Sequence, residues 1–214
     1  MSKSIFARTI RALSAAMLIA AALPLATMTP RPASAAASAK AQEIANHFSS
    51  IQSMTGQFIQ FDPNGRQSEG KFYIQRPGMI RFDYSGSPVR VISDGSQVAI
   101  NNRKLNTWDL YPLSKTPLKL LLDQRIDLSA ASIVDVKEEA DLTTIVMGDK
   151  SVFGDSRITM MFDPVSLDLR QWTIRDAQGK DTTVMIYNVK NGVSFQKGMF
   201  DIPYTAIAND QRKR

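Results

Sequence analysis

The sequence contains no cysteine. Disulfides, thiolate nucleophiles and cysteine-based zinc sites are therefore excluded, and burial of apolar surface must hold the fold together. Histidine is almost as scarce, with His47 alone. A Ser-His-Asp arrangement would have to use it, and no Gly-x-Ser-x-Gly elbow supplies a nucleophile. His47 falls inside a helical pattern, three residues from Ile44 and one from Phe48, where a lone histidine is ordinarily structural or exposed. Two Ser-x-x-Lys spacings occur, Ser68 to Lys71 and Ser194 to Lys197. Both fall in segments that read as strand or turn, where residues three apart point to opposite faces, so chance is the better explanation. Nothing singles out a carboxylate pair among the 20 acidic residues. The expectation is a protein with no catalytic residues, no cofactor and no metal.

Long hydrophobic runs are also missing. The one extended apolar stretch, Leu13 to Leu25, is interrupted by Pro24 and falls short of the roughly 20 residues a spanning helix needs. It follows Lys3, Arg8 and Arg11 and precedes the small residues Ala33-Ser34-Ala35, the order of a secretory signal peptide. Residues 1–35 are read as that signal, with cleavage after Ala35, Ala37 or Ala39. No cysteine follows to take a lipid, so the mature protein is expected free in solution, without stable membrane insertion. Removing the signal also lowers the charge. Of 26 Lys and Arg, four (Lys3, Arg8, Arg11, Arg31) precede Ser38 and no acid does, leaving 22 against 20 and a net +2 in place of +6. Nucleic-acid binding requires a dense basic stripe with stacking aromatics. Here the basic residues are scattered, and Arg212-Lys213-Arg214 reads as a frayed tail.

What is present is mostly β pattern. From Ser38 to Ser53 the residues Ala41, Ile44, Ala45, Phe48 and Ile51 draw one apolar stripe along a helix. After Met54 the period becomes two. Phe72 and Ile74 alternate with polar neighbours, as do Ile80, Phe82 and Tyr84, Val98 and Ile100, Ile158, Met160 and Phe162, Trp172 and Ile174, and Val184 and Ile186. Between them lie turn signals such as Pro77-Gly78, Ser93-Asp94-Gly95 and Asn191-Gly192. Short strands joined this way predict a meandering antiparallel sheet. Thr116-Pro117 followed by Leu118, Leu120, Leu121 and Leu122 predicts a short helix from Pro117 to about Gln124. The acidic run from Glu138 to Asp141 reads as a solvated loop or strand edge. One domain over 40–204 and a short flexible tail over 205–214 complete the expected organisation.

One small sheet thus carries many soft and aromatic side chains, among them Met54, Met79, Met160, Met185, Phe58, Phe61, Phe72, Phe82 and Trp172. They suit an ordinary β core. They equally suit a curved sheet enclosing an apolar cavity, where unbranched, polarizable methionine accommodates flexible chains. Composition leaves both open.

The segment Gly70-Lys71-Phe72-Tyr73-Ile74-Gln75-Arg76-Pro77-Gly78-Met79-Ile80-Arg81-Phe82-Asp83-Tyr84 resembles the signature of the periplasmic outer-membrane lipoprotein carrier family, the LolA type. Val91-Ile92-Ser93-Asp94-Gly95, Thr116-Pro117-Leu118 and Phe200-Asp201-Ile202-Pro203 match it in the same order, so the resemblance runs from about Ala41 to Tyr204. It implies a mainly β fold, an incomplete, strongly curved antiparallel β-barrel whose apolar cavity is covered by a small helical lid. It implies a soluble, monomeric carrier in the periplasm of a Gram-negative bacterium. Such a carrier takes acylated lipoproteins from an inner-membrane lipoprotein-releasing ABC transporter and passes them to an outer-membrane lipoprotein acceptor. Arg76 is the residue implied to bond the lid and govern its opening. The candidate cavity residues are Phe58, Phe72, Ile74, Ile80, Phe82, Tyr84, Val98, Ile100 and Trp108, with Leu118, Leu121 and Leu122 from the middle helix and Met160, Phe162, Trp172 and Ile174 from the later strands. The family lid has three helices, of which the sequence locates two. A lipid carrier or lipoprotein sensor of the same fold is the alternative, although a sensor usually brings a second domain for which this chain leaves no room. A periplasmic hydrolase is less favoured, for want of a catalytic constellation.

Overall fold

The computed structural model describes residues 38–128 and 132–211. The expected signal at 1–35 and the Arg212-Lys213-Arg214 cluster lie outside them. Helix α1 (Ala39–Ser50) begins where the Ser38 side chain accepts a hydrogen bond from the Ala41 N–H at 3.0 Å, an N-cap that fixes its start. It ends at Ile51, which turns extended and leads into β1 (Ser53–Phe61). There follow β2 (Gln67–Gln75), β3 (Met79–Tyr84), β4 (Val89–Asp94), β5 (Gln97–Asn102) and β6 (Thr107–Pro112). A 3-10 turn (Leu113–Lys115) and α2 (Leu118–Leu122) lead to β7 (Ile133–Glu138), β8 (Thr143–Gly148), α3 (Lys150–Phe153), β9 (Arg157–Phe162), β10 (Leu169–Arg175), β11 (Asp181–Asn191) and α4 (Tyr204–Gln211).

The strands form one antiparallel sheet in the order β6-β5-β4-β3-β2-β1-β11-β10-β9-β8-β7. It does not close, and its free edges, β6 and β7, are consecutive in sequence. The chain between them must therefore pass from one edge to the other, which is why the 3-10 turn and α2 lie over the open side. Curvature is visible in the contacts. Phe82 on β3 and Trp172 on β10 are four strand positions apart, roughly 19 Å in a flat sheet, yet their ring centroids are 6.1 Å apart.

Two glycines permit that bend. Gly56 pairs with Phe72 and Gly70 with Phe58 across the β1–β2 ladder. A Cβ on Gly70 would lie 2.0 Å from the Asp83 carbonyl oxygen and 2.9 Å from the Phe58 ring; one on Gly56 would lie 2.8 Å from the Phe72 ring. Each bare backbone is the floor on which the opposite aromatic ring lies. A bulge between Thr55 and Gln57 on the β11 side adds local twist.

The inner face is a single core. Phe58, Phe72, Ile80, Met147, Ile158, Met160 and Phe162 from the sheet pack with Ile44 and Phe48 of α1 and Leu121 and Leu122 of α2, all fully buried. The Phe48 ring meets Phe162 edge-on at 5.4 Å. α2 is shorter than the predicted Pro117–Gln124, because Asp123 is extended and its N–H closes the helix on the Lys119 carbonyl. The one-turn helix α3, between β8 and β9, packs against the 3-10 turn that follows β6, so it bridges the open side of the barrel.

The tail departs from expectation. Residues 204–211 form α4, whose Ile207 is only 6% exposed and packs with Ile92, Ala99 and Ile202 on the outer face of the sheet. Apolar side chains on the outer surface of β4 and β5 give this segment something to bury, which sequence periodicity within the tail itself does not disclose.

Candidate functional site

Arg76 follows the last residue of β2 and precedes the Pro77-Gly78 turn into β3. The Arg76–Pro77 peptide is cis and Gly78 has φ +79°. A side chain at Gly78 is excluded twice, by that φ and by the Gly95 Cα, which would stand 2.6 Å from its Cβ. The turn is thereby seated on the β4–β5 turn. Its polar groups point at the lid: the Arg76 N–H donates to the Gln52 carbonyl and the Gly78 N–H to the Leu122 carbonyl, each at 2.8 Å.

The guanidinium does more. Nη1 donates to the carbonyls of Phe48 at 2.7 Å and Ile51 at 2.6 Å, and Nη2 donates to the Leu121 carbonyl at 3.2 Å. Its central carbon lies 4.0 Å from the centroid of the Phe48 ring. The C-terminal carbonyls of a helix lack intrahelical partners and form the negative end of its dipole. Two helices, α1 and α2, thus bring such carbonyls to one cation whose planar fork can serve several acceptors at once. Arg76 is 5% exposed, and among the described residues no ion pair neutralises it. Burial pulls its pKa down to about 10, so it remains charged at neutral pH and bears a desolvation cost.

Most of the predicted cavity residues come together. Phe58, Phe72, Ile74, Ile80, Phe82, Val98, Leu121, Leu122, Met160, Phe162 and Trp172 are buried in one cluster, with Tyr84, Leu118 and Ile174 half-buried against it. Tyr84 donates to Gln60 Oε1 at 2.7 Å, and burial pushes its phenol pKa up to about 12. Two of the expected cavity residues, Trp108 and Ile100, lie elsewhere. Trp108 pairs with Asn101, which shares a face with Ala99, so its indole lies in the outer cluster with Ile92, Ile202 and Ile207. Ile100 is 38% exposed, because it lies beside the free edge strand β6. The interior is also not vacant. Ile44 and Phe48 from α1 and Leu121 and Leu122 from α2 fill the concave face, so the lid helices occupy the space that they cover.

Three features of the site gave no sequence signal: the α1 carbonyls that receive Arg76, the two floor glycines, and the anchoring of the β4–β5 turn from outside. The C-terminal segment crosses the outer face, where Phe195 packs on Tyr73 at 6.0 Å and on Phe200 at 5.4 Å, and Arg81 Nη1 donates to the Met199 carbonyl at 3.1 Å. The Tyr204 hydroxyl then donates to Asp94 Oδ2 at 2.6 Å. Asp94 Oδ1 accepts from the N–H groups of Ser96 and Gln97, and the Ser96 carbonyl accepts from the Leu113 N–H at 2.9 Å. One turn therefore touches the C-terminal helix, the Pro77-Gly78 turn and the entry to the lid. The remaining candidates stay apart. His47 Nε2 is 3.9 Å from Asp168 Oδ1, Ser68 and Lys71 are exposed on β2, and among the described residues no group of three or more His, Cys, Asp or Glu is placed to hold a metal.

An open antiparallel barrel with a filled apolar interior, closed by helices tied to one buried guanidinium, defines a lidded half-barrel. Residues 49–203 match the family described as outer membrane lipoprotein carrier protein LolA, and the chain belongs to that family. It is 24% identical over 204 residues to the outer-membrane lipoprotein carrier protein of Alkalilimnicola ehrlichii, covering 88% of this chain and 90% of that one. It is 25% identical over 180 residues to that of Methylobacillus flagellatus, covering 76% and 83%. Among solved structures, a LolA superfamily protein from Nitrosomonas europaea covers 76% of this chain and 98% of its own at 7% identity, with a TM-score of 0.42.

Proposed function

We propose that the protein is a soluble, monomeric periplasmic carrier that holds the acyl chains of lipoproteins released from the inner membrane and delivers them to the outer membrane. The observation that carries this reading is the apolar concave face filled by side chains of two helices that hang on Arg76. Each methylene moved from lipid into water costs about 0.8 kcal/mol, so a multiply acylated protein cannot cross an aqueous space uncovered. The interior offers a dry wall in its place.

Opening the lid costs the protein apolar burial. Burying Ile44, Phe48, Leu121 and Leu122 is worth roughly 6–12 kcal/mol at about 1.5–3 kcal/mol each. Acyl chains that enter displace these side chains, and their own burial offsets that cost. At the same time the Arg76 bonds to Phe48, Ile51 and Leu121 break and the cation regains water. A latch made of carbonyls, with no carboxylate, closes the lid without locking it, which suits a protein that must also let go. The donor is the lipoprotein-releasing ABC transporter of the inner membrane and the recipient an outer-membrane acceptor. Native mass spectrometry of protein purified from the periplasm tests the reading. An acylated lipoprotein bound one to one is expected; free phospholipid or glycolipid would make it a lipid carrier, and an empty protein with hydrolytic activity would overturn it.

A further inference from the structure

The face of α1 turned away from the core borders an open groove of about 930 Å³, within the roughly 300–1,000 Å³ of ligand pockets. One wall is formed by Gln42 and Asn46 of α1, with Gln52 just beyond it; the other is formed by Gln124 and the residues that follow α2. Gln42 Nε2 donates to Asn46 Oδ1 at 3.0 Å, so these two exposed amides form one ledge. Ser49 joins the walls, its Oγ accepting from the Ile126 N–H at 3.0 Å. The groove thus follows the same seam between α1 and the α2 segment that Arg76 holds through Phe48, Ile51 and Leu121.

Its chemistry differs from the interior. Arg125 and Asp127 leave the lining without net formal charge, which disfavours an anionic headgroup. Four primary amides, each both donor and acceptor, together with Ser49 and Ser50 outnumber Ile126 and Leu128 in the lining and disfavour an acyl chain. They suit a neutral ligand that presents alternating donors and acceptors, and an extended peptide backbone is such a ligand. We propose that this groove holds the peptide segment that follows the acylated residue of the cargo. The inference rests on the carrier reading. Chains that enter between α1 and α2 leave their attached peptide at that seam, and main-chain recognition by amides accepts many sequences.

Two synthetic ligands test this: a triacylated cysteinyl dipeptide and the same compound with ten further residues. The wild-type protein is expected to bind the longer ligand about tenfold more tightly, the effect of one or two added hydrogen bonds. In Gln42→Ala/Asn46→Ala the two affinities should converge on that of the dipeptide, with the thermal midpoint unchanged. A photoreactive group early in the ten-residue extension should crosslink to α1 or to residues 124–128. Equal affinities in the wild type, or an advantage that survives in the double variant, overturns the groove assignment while the carrier reading stands. Failure of both ligands to bind overturns the carrier reading and this inference with it.

Discussion

The main chain and the ring of Phe48 both meet Arg76: the carbonyl accepts from Nη1 at 2.7 Å, and the ring lies 4.0 Å from the guanidinium carbon. α1 is thus held at its last turn by a hydrogen bond and a cation–π contact made to the same group. Phe48 also fills the interior against Phe162. A ligand that displaces the ring is therefore expected to loosen the latch, and loss of the latch to free the ring.

Replacing Arg76 should therefore separate folding from cycling. Arg76→Leu removes a buried cation, so thermal stability is expected to fall by no more than about 2 kcal/mol, because the desolvation cost disappears with the bonds. Lid opening, followed by exchange of the amides in 119–123, should accelerate at least tenfold. Arg76→Lys should give an intermediate rate, since an ammonium lacks the fork. Wild-type exchange in Arg76→Leu, together with normal lipoprotein transfer, would remove the latch from the account.

The C-terminal helix should act on the lid from the opposite face. Tyr204→Phe deletes only the hydroxyl that holds Asp94, and the β4–β5 turn under Gly78 loses that anchor. Uptake of a fluorescent fatty acid should quicken two- to fivefold with the thermal midpoint within 2 °C of wild type. A merely structural contact would shift the midpoint and leave the uptake rate alone.

Acid should weaken the same anchor. Burial favours the neutral carboxyl of Asp94, but hydrogen bonds from Tyr204 and from the N–H groups of Gln97 and Ser96 outweigh it and hold its pKa below the usual carboxylate range. A carboxylate depressed on folding contributes stability that is present above its unfolded pKa and is lost as pH falls through the folded value. The difference in uptake between Tyr204→Phe and wild type should thus be full at pH 6 and shrink below pH 4. In Asp94→Asn, uptake should show no such acid-dependent step.

The bend of the sheet should depend on Gly70. Gly70→Ala places a Cβ against the Asp83 carbonyl, a backbone group that cannot step aside. A loss of roughly 3 kcal/mol is expected, at the upper end of overpacking costs, which is about 6–12 °C in the thermal midpoint for a domain of this size. Gly179→Ala, in an open turn at positive φ, should cost less. Equal losses would show that the close approach is unimportant.

Much of this was legible in the sequence, for reasons that differ between elements. The strands at Phe72, Ile80, Ile158 and Trp172 each commit one face to the core, and a period of two survives any tertiary context. α1 likewise announces itself through Ile44 and Phe48. β6 does not, because an edge strand buries little: its residues Thr107 to Pro112 are exposed or half-buried, so alternation gives no clue to which side Trp108 takes. α4 leaves no such trace, because its partner surface, Ile92 and Ala99, lies more than a hundred residues away. Arg76 stands out in the sequence only through the family resemblance. Its three acceptors are backbone carbonyls, which any sequence has, and only the fold brings them within 3.2 Å of one side chain.

On the proposed reading, cargo replaces the lid's own side chains and breaks the Arg76 latch. Amide exchange at Gly78, whose N–H is bonded to the Leu122 carbonyl, reports on that directly. On saturation with a triacylated lipopeptide the account predicts faster exchange at Gly78 and through 119–123, with β1 and β2 unchanged. Unchanged or slower exchange at Gly78 in the fully bound protein would contradict it.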